Sequence, residues 1–414
     1  MSFFESLLDG VDVQWKRFGD IGEFIRGNGM QKKDFIEVGF PAIHYGQIYT
    51  KYGLFASETF SYVSEQLAQK LRKAEKNDLL LATTSENDLD VVKPLAWDGG
   101  TVAISGDMML FRHDQIVKYL AYFIQTEMFQ EQKRKYIKGI KVRRVSSDDL
   151  SKILVPIPCP ENPEKSLKIQ SEIVRVLDAF SAKTDELNNK LTAELSIRKK
   201  QYNYYCSQLL IFENEDVEWK SLEKVVNFAN GKGHEKDITE GGEYIVVNSK
   251  FISTNGRVAK YSNKQICPLF IDDILLVMSD LPNGKALAKT FIVDANDRYT
   301  LNQRIGGISV KNKNELHPKF LYYFLNRNPQ LTKFDNGVDQ TNLRKDQILG
   351  VQIPILSLNK QTSIVSILDK LDALTKSVNE NLQREIELRQ QQYEYYRDLL
   401  FSFPKSATVE AEHE

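Results

Sequence analysis

Two stretches of the chain place their apolar residues at alternating spacings of three and four. The first runs Ile173, Leu177, Phe180, Thr184, Leu187, Leu191, Glu194, Arg198, Tyr202, Tyr205, Leu209. The second runs Ile364, Leu368, Leu371, Thr375, Val378, Leu382, Glu385, Arg389, Tyr393, Tyr396, Leu400. That spacing is the seam of a coiled coil, and it continues for more than about five heptads. Neither stretch contains Gly or Pro. At about 1.5 Å per residue each predicts a helix roughly 60 Å long. The two stretches are copies. At an offset of 191, with no gap, 16 of 41 positions are identical, which makes an internal duplication the first fact about the architecture.

Between the helices the periodicity changes. Residues 38–48, 78–83 and 101–111 alternate or run apolar between Gly and Pro, which predicts strands. Residues 244–248, 273–278 and 290–293 do the same in the second half. Residues 118–132 and 319–326 predict helices. Strands alternating irregularly with a few helices predict a compact α+β domain in each half.

The duplication reaches into these domains. Trp15-Lys16 and Gly27-Asn28-Gly29 recur 204 residues later as Trp219-Lys220 and Gly231-Lys232-Gly233. KYLAYFI (118–124) answers KFLYYFL (319–325), Gly139 answers Gly337, and Val155-Pro156-Ile157 answers Ile353-Pro354-Ile355. The middles diverge. The expected organisation is therefore a first domain at 1–163, a long helix at 164–212, a second domain at 213–356, a second long helix at 357–403, and a short acidic tail at 404–414. Each helix needs a partner for its stripe, and the other copy is on the same chain. An antiparallel, pseudo-two-fold pair would set Leu191 near Leu382. Glu194 with Arg198, and Glu385 with Arg389, are either polar seam positions that fix register or i,i+4 surface pairs.

Composition narrows the class. The chain has 414 residues, 42% hydrophobic and 27% charged, with three scattered cysteines, so neither a disulfide framework nor a cysteine metal site is indicated. The start lacks a signal peptide's pattern, no apolar run approaches the roughly 20 residues of a membrane span, and a cytoplasmic location is expected. Net charge is −1, but residues 132–145 hold seven basic residues and no acidic one, a stripe suited to phosphate. Phosphate-loop, dinucleotide, nucleophile-elbow and adenine-methyltransferase motifs are missing, and the five histidines show no metal spacing, so catalysis by this chain is not expected.

Two variable modules, each closed by a near-identical long helix, resemble the specificity subunit of type I restriction–modification systems. The residues that carry the resemblance are the Trp15-Lys16 opening with its Arg26–Gly29 turn and the closing segments 155–158 and 352–355. Gln170 with Ile173–Leu177 and Gln361 with Ile364–Leu368 look like the family's helix start, and 78–82 and 273–277 like its Asp-Ile-Leu strand. The resemblance covers almost the whole chain. It implies two α/β target-recognition domains separated by two long antiparallel helices. It also implies a non-catalytic subunit that binds a bipartite, asymmetric site in double-stranded DNA. Two modification (methyltransferase) subunits would dock on the helices, and restriction (translocase–endonuclease) subunits would join them. S-adenosylmethionine, ATP and Mg would belong to those partners. The rival readings are a coiled-coil scaffold whose modules bind protein, and a nuclease–methyltransferase fusion.

On that reading phosphate contacts position the protein and base-edge contacts specify. The stripe Lys133, Arg134, Lys135, Lys138, Lys141, Arg143 and Arg144 is the candidate backbone contact, answered more sparsely by Arg344 and Lys345. Arg26, Asn28 and Lys232 sit at the glycine turns. Polar residues of the divergent loops are the candidate readers: Gln31, Lys32, His44, Tyr45 and Gln47 in the first module, then Asn248, Ser249, Lys250 and Lys285, with Asn302, Gln303 and Arg304, in the second. The alternatives are solvated faces and ordinary tight turns. The tyrosine clusters are expected to pack helix ends against the modules.

Overall fold

The computed structural model describes residues 11–212, 217–281 and 286–403. It divides into two compact units, Met1–Thr192 with Gln383–Glu414, and Ala193–Leu382. Each long helix is one continuous element, Pro163–Leu209 and Leu358–Leu400, and each contributes one part to either unit. No described helix is long and apolar enough to cross a membrane.

In the first unit a five-stranded sheet has the order Gly22–Arg26, Met108–His113, Leu79–Ala82, Lys93–Trp97, Phe55–Ala56. A four-stranded sheet has the order Ser61–Val63, Phe40–Ile43, Val102–Ile104, Lys73–Ala74. The second unit repeats the plan with two four-stranded sheets. One is Val226–Asn230, Ile305–Val310, Ile274–Val277, Thr290–Ile292; the other is Ile238–Thr239, Lys260–Ser262, Tyr244–Val247, Tyr299–Leu301.

The repeated sequence landmarks now have physical roles. The opening and closing segments pair as an antiparallel ribbon, with Trp15 opposite Pro156 and Trp219 opposite Pro354. Asp78 and Asp273 each accept a backbone N–H three residues back, from Glu75 and Phe270, and so square off the turn that enters the central strand. The helix-start glutamines are buried polar joints. Gln170 accepts from Ile116 N–H and donates to Gln115 and Ser166; Gln361 accepts from His317 N–H and donates to the Glu315 and Leu356 carbonyls. Two turns further on, Asp178 takes Lys118 at 2.8 Å and the Tyr122 hydroxyl at 2.7 Å, and Asp369 takes Lys319 and Tyr323 at the same distances. Each module is thus fastened to its helix by the same four side-chain types.

Each helix also ends in a core. Leu400, Phe401 and Phe403 lie in the first unit's core, where Phe401 meets Tyr119 and Phe123 at ring-centroid distances of 5.0 and 5.6 Å. Leu209, Leu210 and Phe212 play that part in the second unit. The helices run side by side within each unit. Phe180 stacks on Tyr396 at 5.4 Å in the first. In the second the Tyr202 hydroxyl donates to Asp372, while Leu209 and Phe212 share a core with Ile364 and Leu368, which gives the antiparallel sense.

The seam is buried at Ile173, Leu177, Ile364 and Leu368, and half-buried at Phe180, Leu187, Leu191, Leu371, Val378 and Leu382. Three seam positions differ from the heptad reading: Arg198, Arg389 and Tyr205 are exposed, and Cys206 turns inward instead. Arg198 and Arg389 form i,i+4 ion pairs with Glu194 and Glu385, at 2.7 and 2.8 Å, on the solvent side. Two element expectations also change. Residues 45–50 are a helix, because the His44 ring accepts from Gly46 N–H and Gln47 caps His44 N–H. The predicted helix at 118–132 is two, Val117–Ile124 and Glu127–Arg134, broken where Thr126 caps the second.

Candidate nucleic-acid interface

Three loops meet at one end of the sheets in each module, and two of the backbone hydrogen bonds between them are equivalent. In the first module Gly27 N–H donates to Met108 O, Ser105 N–H to Ile43 O, and Tyr45 N–H to Ser105 Oγ. These bonds join the 27–32 loop, the 105–107 turn and the start of the 45–50 helix. In the second module Gly231 N–H donates to Ile305 O, Gln303 N–H to Lys232 O, and Asn302 N–H to Val247 O. The same three places are joined again, with Asn248 capping its helix as His44 does. A two-stranded ribbon leaves each sheet beside them: Thr84–Ser85 with Arg143–Arg144, and Ser279–Asp280 with Thr341–Asn342.

The first glycine of each Gly-x-Gly turn is needed for this convergence. A Cβ on Gly27 would lie 2.1 Å from Ser105 O, and one on Gly231 would lie 1.9 Å from Asn302 O. Only glycine lets the two loops approach so closely.

The structure sorts the sequence candidates. Arg26, Asn28, Gln31, Lys32, His44, Tyr45 and Gln47 are brought together at the first convergence. Arg26 donates to Gly106 O, and Asn28 is braced by Lys70 O and Arg72 N–H, so Asn28 holds the turn. Gln31 and Lys32 are exposed. His44 and Gln47 are corrected as readers. Both are buried, and Gln47 donates to Ser61 Oγ at 2.5 Å. Burial and the nearby Lys32 charge hold the His44 ring below its ordinary pKa, so it is a neutral cap at pH 7. In the second module Asn248, Ser249, Lys250, Asn302, Gln303 and Arg304 line one open recess of about 360 Å³. Lys232 is exposed beside it, and Arg344 and Lys345 follow the adjoining ribbon, Arg344 pairing with Asp346 and Lys345 lying over the Phe228 ring. Lys285 lies outside the described residues, as does the 404–414 tail.

The basic stripe is not one surface. Lys133 is corrected: its ammonium is buried and donates to Leu89 O at 3.0 Å and Val91 O at 2.9 Å. Arg134 pairs with Glu127, Lys138 with Asp149 and Arg143 with Asp88. Lys135, Lys141 and Arg144 are exposed, and Arg143–Arg144 forms the ribbon beside the first convergence.

Burial lowers the Lys133 pKa from 10.5 to about 8. Between those values the unfolded chain keeps a proton that the folded chain has released, so stability rises with pH across that window. Below pH 8 the full cost of burying the charge applies. Lys133→Met is expected to abolish this rise and, by stranding two carbonyls, to be less stable than the parent by about 1–3 kcal/mol near pH 10.5, where the folded chain's Lys133 is already neutral. Thermal melts from pH 7.5 to 10.5 check both; an unchanged slope would contradict the assignment.

Sequence reasoning missed the 105–107 turn of the first module and Glu235 of the second, which lines the recess. The signal was present: continuing the 204-residue offset past the glycines sets Glu235 against Gln31.

Comparison with known proteins gives one consistent result. The model of the "Type I restriction modification DNA specificity domain" matches residues 10–196 and 214–388. The specificity subunit of the type I restriction enzyme EcoR124I/EcoR124II of Escherichia coli is 35% identical over 434 aligned residues, covering 99% of each chain. The EcoprrI specificity subunit, also from Escherichia coli, is 27% identical and covers 92% of each. Among solved structures, a chain from a type I R-M system studied for complex assembly and conformational transition aligns with TM-score 0.71 at 14% identity, over 94% of this chain and 97% of that one. The HsdS subunit of Thermoanaerobacter tengcongensis aligns with TM-score 0.51 at 14% identity, over 94% and 96%. At these identities the structural likenesses speak to the fold.

Proposed function

The chain belongs to the type I restriction–modification DNA specificity family, and from that premise we propose that it is the non-catalytic subunit that reads a bipartite, asymmetric DNA site. Each module reads one half. The observation that carries this reading is the pair of loop convergences: one scaffold built twice, with the same glycine approach and a side-chain cap on the corresponding helix, presenting different side chains each time. Gln31 and Lys32 in one place, and Lys250, Asn302 and Arg304 in the other, are groups that bond base edges and phosphates. Non-identical loops imply non-identical half-sites.

The partners follow from what the helices leave uncovered. Ile197 and Tyr204 are 49% and 59% exposed, and their counterparts 191 residues on, Leu388 and Tyr395, are 49% and 64% exposed. Each pair is seven residues apart and so shares a helix face. Apolar positions that stay exposed in both copies support docking of two copies of one partner, the modification subunits, with restriction subunits joining them. Methyl transfer and ATP-driven steps, with their S-adenosylmethionine, ATP and Mg, belong to those partners.

Mobility-shift titration of the chain, alone and with a modification subunit, tests the proposal. Retention of a defined duplex over scrambled competitor, strengthened by the modification subunit, is the expected result. No sequence preference in either condition, across fragments covering a genome, would leave the protein-binding scaffold instead.

A further inference from the structure

The recess of the second module contains one group that a DNA-binding surface ordinarily avoids. Glu235 lines it, together with Lys250 and Arg304. A carboxylate that faces a polyanion is repelled by every phosphate nearby. It is favourable there only where it meets a hydrogen-bond donor on the DNA.

Glu235 is held for such a contact. It follows His234, which is fully buried, with Nδ1 2.8 Å from Lys232 O and Nε2 2.9 Å from Thr300 Oγ1. The loop is tied again by Gln303 N–H to Lys232 O at 3.0 Å, and Gly231 admits no side chain. Glu235 Oε1 accepts from Gln303 Nε2 at 2.7 Å, and Oε2 is the second acceptor. Arg304, the residue after Gln303 and also in the lining of the recess, has φ +67°, a left-handed conformation that costs a long side chain energy. Strain and a braced carboxylate therefore sit in the same turn contacts.

Chemistry narrows the donor. In the major groove the base-edge donors are the exocyclic amino groups, cytosine N4 and adenine N6, and a carboxylate accepts from them. An ionised carboxylate donates nothing, so it rejects the carbonyl of thymine or guanine at the same place. The first module has Gln31 at the matching position, an amide that both donates and accepts. The two modules thus differ at this point in hydrogen-bond logic as well as in shape.

Resting on the DNA-reading function above, we infer that Glu235 is a specificity-determining residue that accepts a hydrogen bond from the exocyclic amino group of one base in the second half-site.

The test uses the full chain assembled with its modification subunit, and reads methylation rates on duplexes altered singly at each position of the site. Glu235→Gln is expected to lower discrimination at one position of the second half by about 10- to 100-fold. The other positions and the whole first half keep their preferences, which also shows that the variant is folded and assembled. Glu235→Asp keeps the carboxylate, and so keeps the preference at that position at a reduced rate. With the wild-type chain, pyrimidin-2-one (cytosine without N4) or purine (adenine without N6) at that position identifies which base is read. If Glu235→Gln retains every preference, or slows all duplexes alike, Glu235 is a brace for the loop and the inference fails. If the wild-type complex shows no site preference at all, the reading of the chain as a DNA specificity subunit fails instead.

Discussion

Phe401→Ala is expected to destabilise the first unit by about 3–5 kcal/mol and to leave the second unit's stability unchanged, because Phe401 belongs to the core of a module whose contacting residues, Tyr119 and Phe123, lie 282 and 278 positions earlier in the chain. Its ring is fully buried and packs on Tyr119 and Phe123. Truncation removes apolar burial and leaves a cavity that the surrounding aromatic side chains can only partly fill. The two units have separate cores, so the loss should stay local. Amide hydrogen exchange is the direct readout. Protection at Leu79–Ala82, the centre of the first unit's larger sheet, should fall by about two to four orders of magnitude, while Ile274–Val277 in the second unit keeps its protection. Phe212→Ala should produce the mirror image. Equal loss in both strands, or none in either, would contradict the account of each long helix closing a module.

The helices were the most legible part of the chain, because a heptad pattern states both the element and its buried face. That legibility stopped at the helix ends. The sequence places Tyr205 and Arg198 on the seam, whereas the helix turns Cys206 inward and leaves Arg198 to an ion pair with Glu194. A straight helix drifts against a 3.5-residue repeat by about 20° per heptad, and once the helix end docks on a module the coiled-coil rule no longer governs it. The repeated Lys-x-x-x-Tyr and Gln-to-Asp spacings were visible as letters, but not as joints. Joining Tyr122 to Asp178 across 56 positions needs the fold.

The candidate site was legible unevenly. The repeat pointed to the glycine turns, and the structure explains them by backbone approach at Gly27 and Gly231. A run of basic residues reads as a surface, yet Lys133 donates inward to two carbonyls. Charge counting cannot see which side of a helix faces the core when the buried side carries a lysine. Polar caps mislead in the same way: His44 and Gln47 look like readers and are spent holding one turn of helix.

Exchanging residues 1–160 for the first module of another family member is expected to replace one half of the recognised site and to leave the other half and the intervening length unchanged. The physical basis is the separation of reading from fastening. The loops that differ between modules hang on a scaffold whose joints are the same: Gln170 and Asp178 in one unit, Gln361 and Asp369 in the other. A graft that keeps a lysine and a tyrosine at the positions of Lys118 and Tyr122 can form those joints with the resident helix. A graft that lacks them should fold poorly on this helix, and restoring the two side chains should rescue it. Each mismatched base pair costs about 1–3 kcal/mol, so a half-site of several pairs should switch almost completely.

The central claim is that two different readers share one chain, and mapping methylated adenines across a host genome tests it most directly. The host carries the complete system with either the parent chain or the 1–160 exchange. The account predicts a split, non-palindromic motif for the parent, and a motif altered in one half alone, at the same spacing, for the exchange. A palindromic motif for the parent, or a change in both halves on exchanging one module, would contradict it.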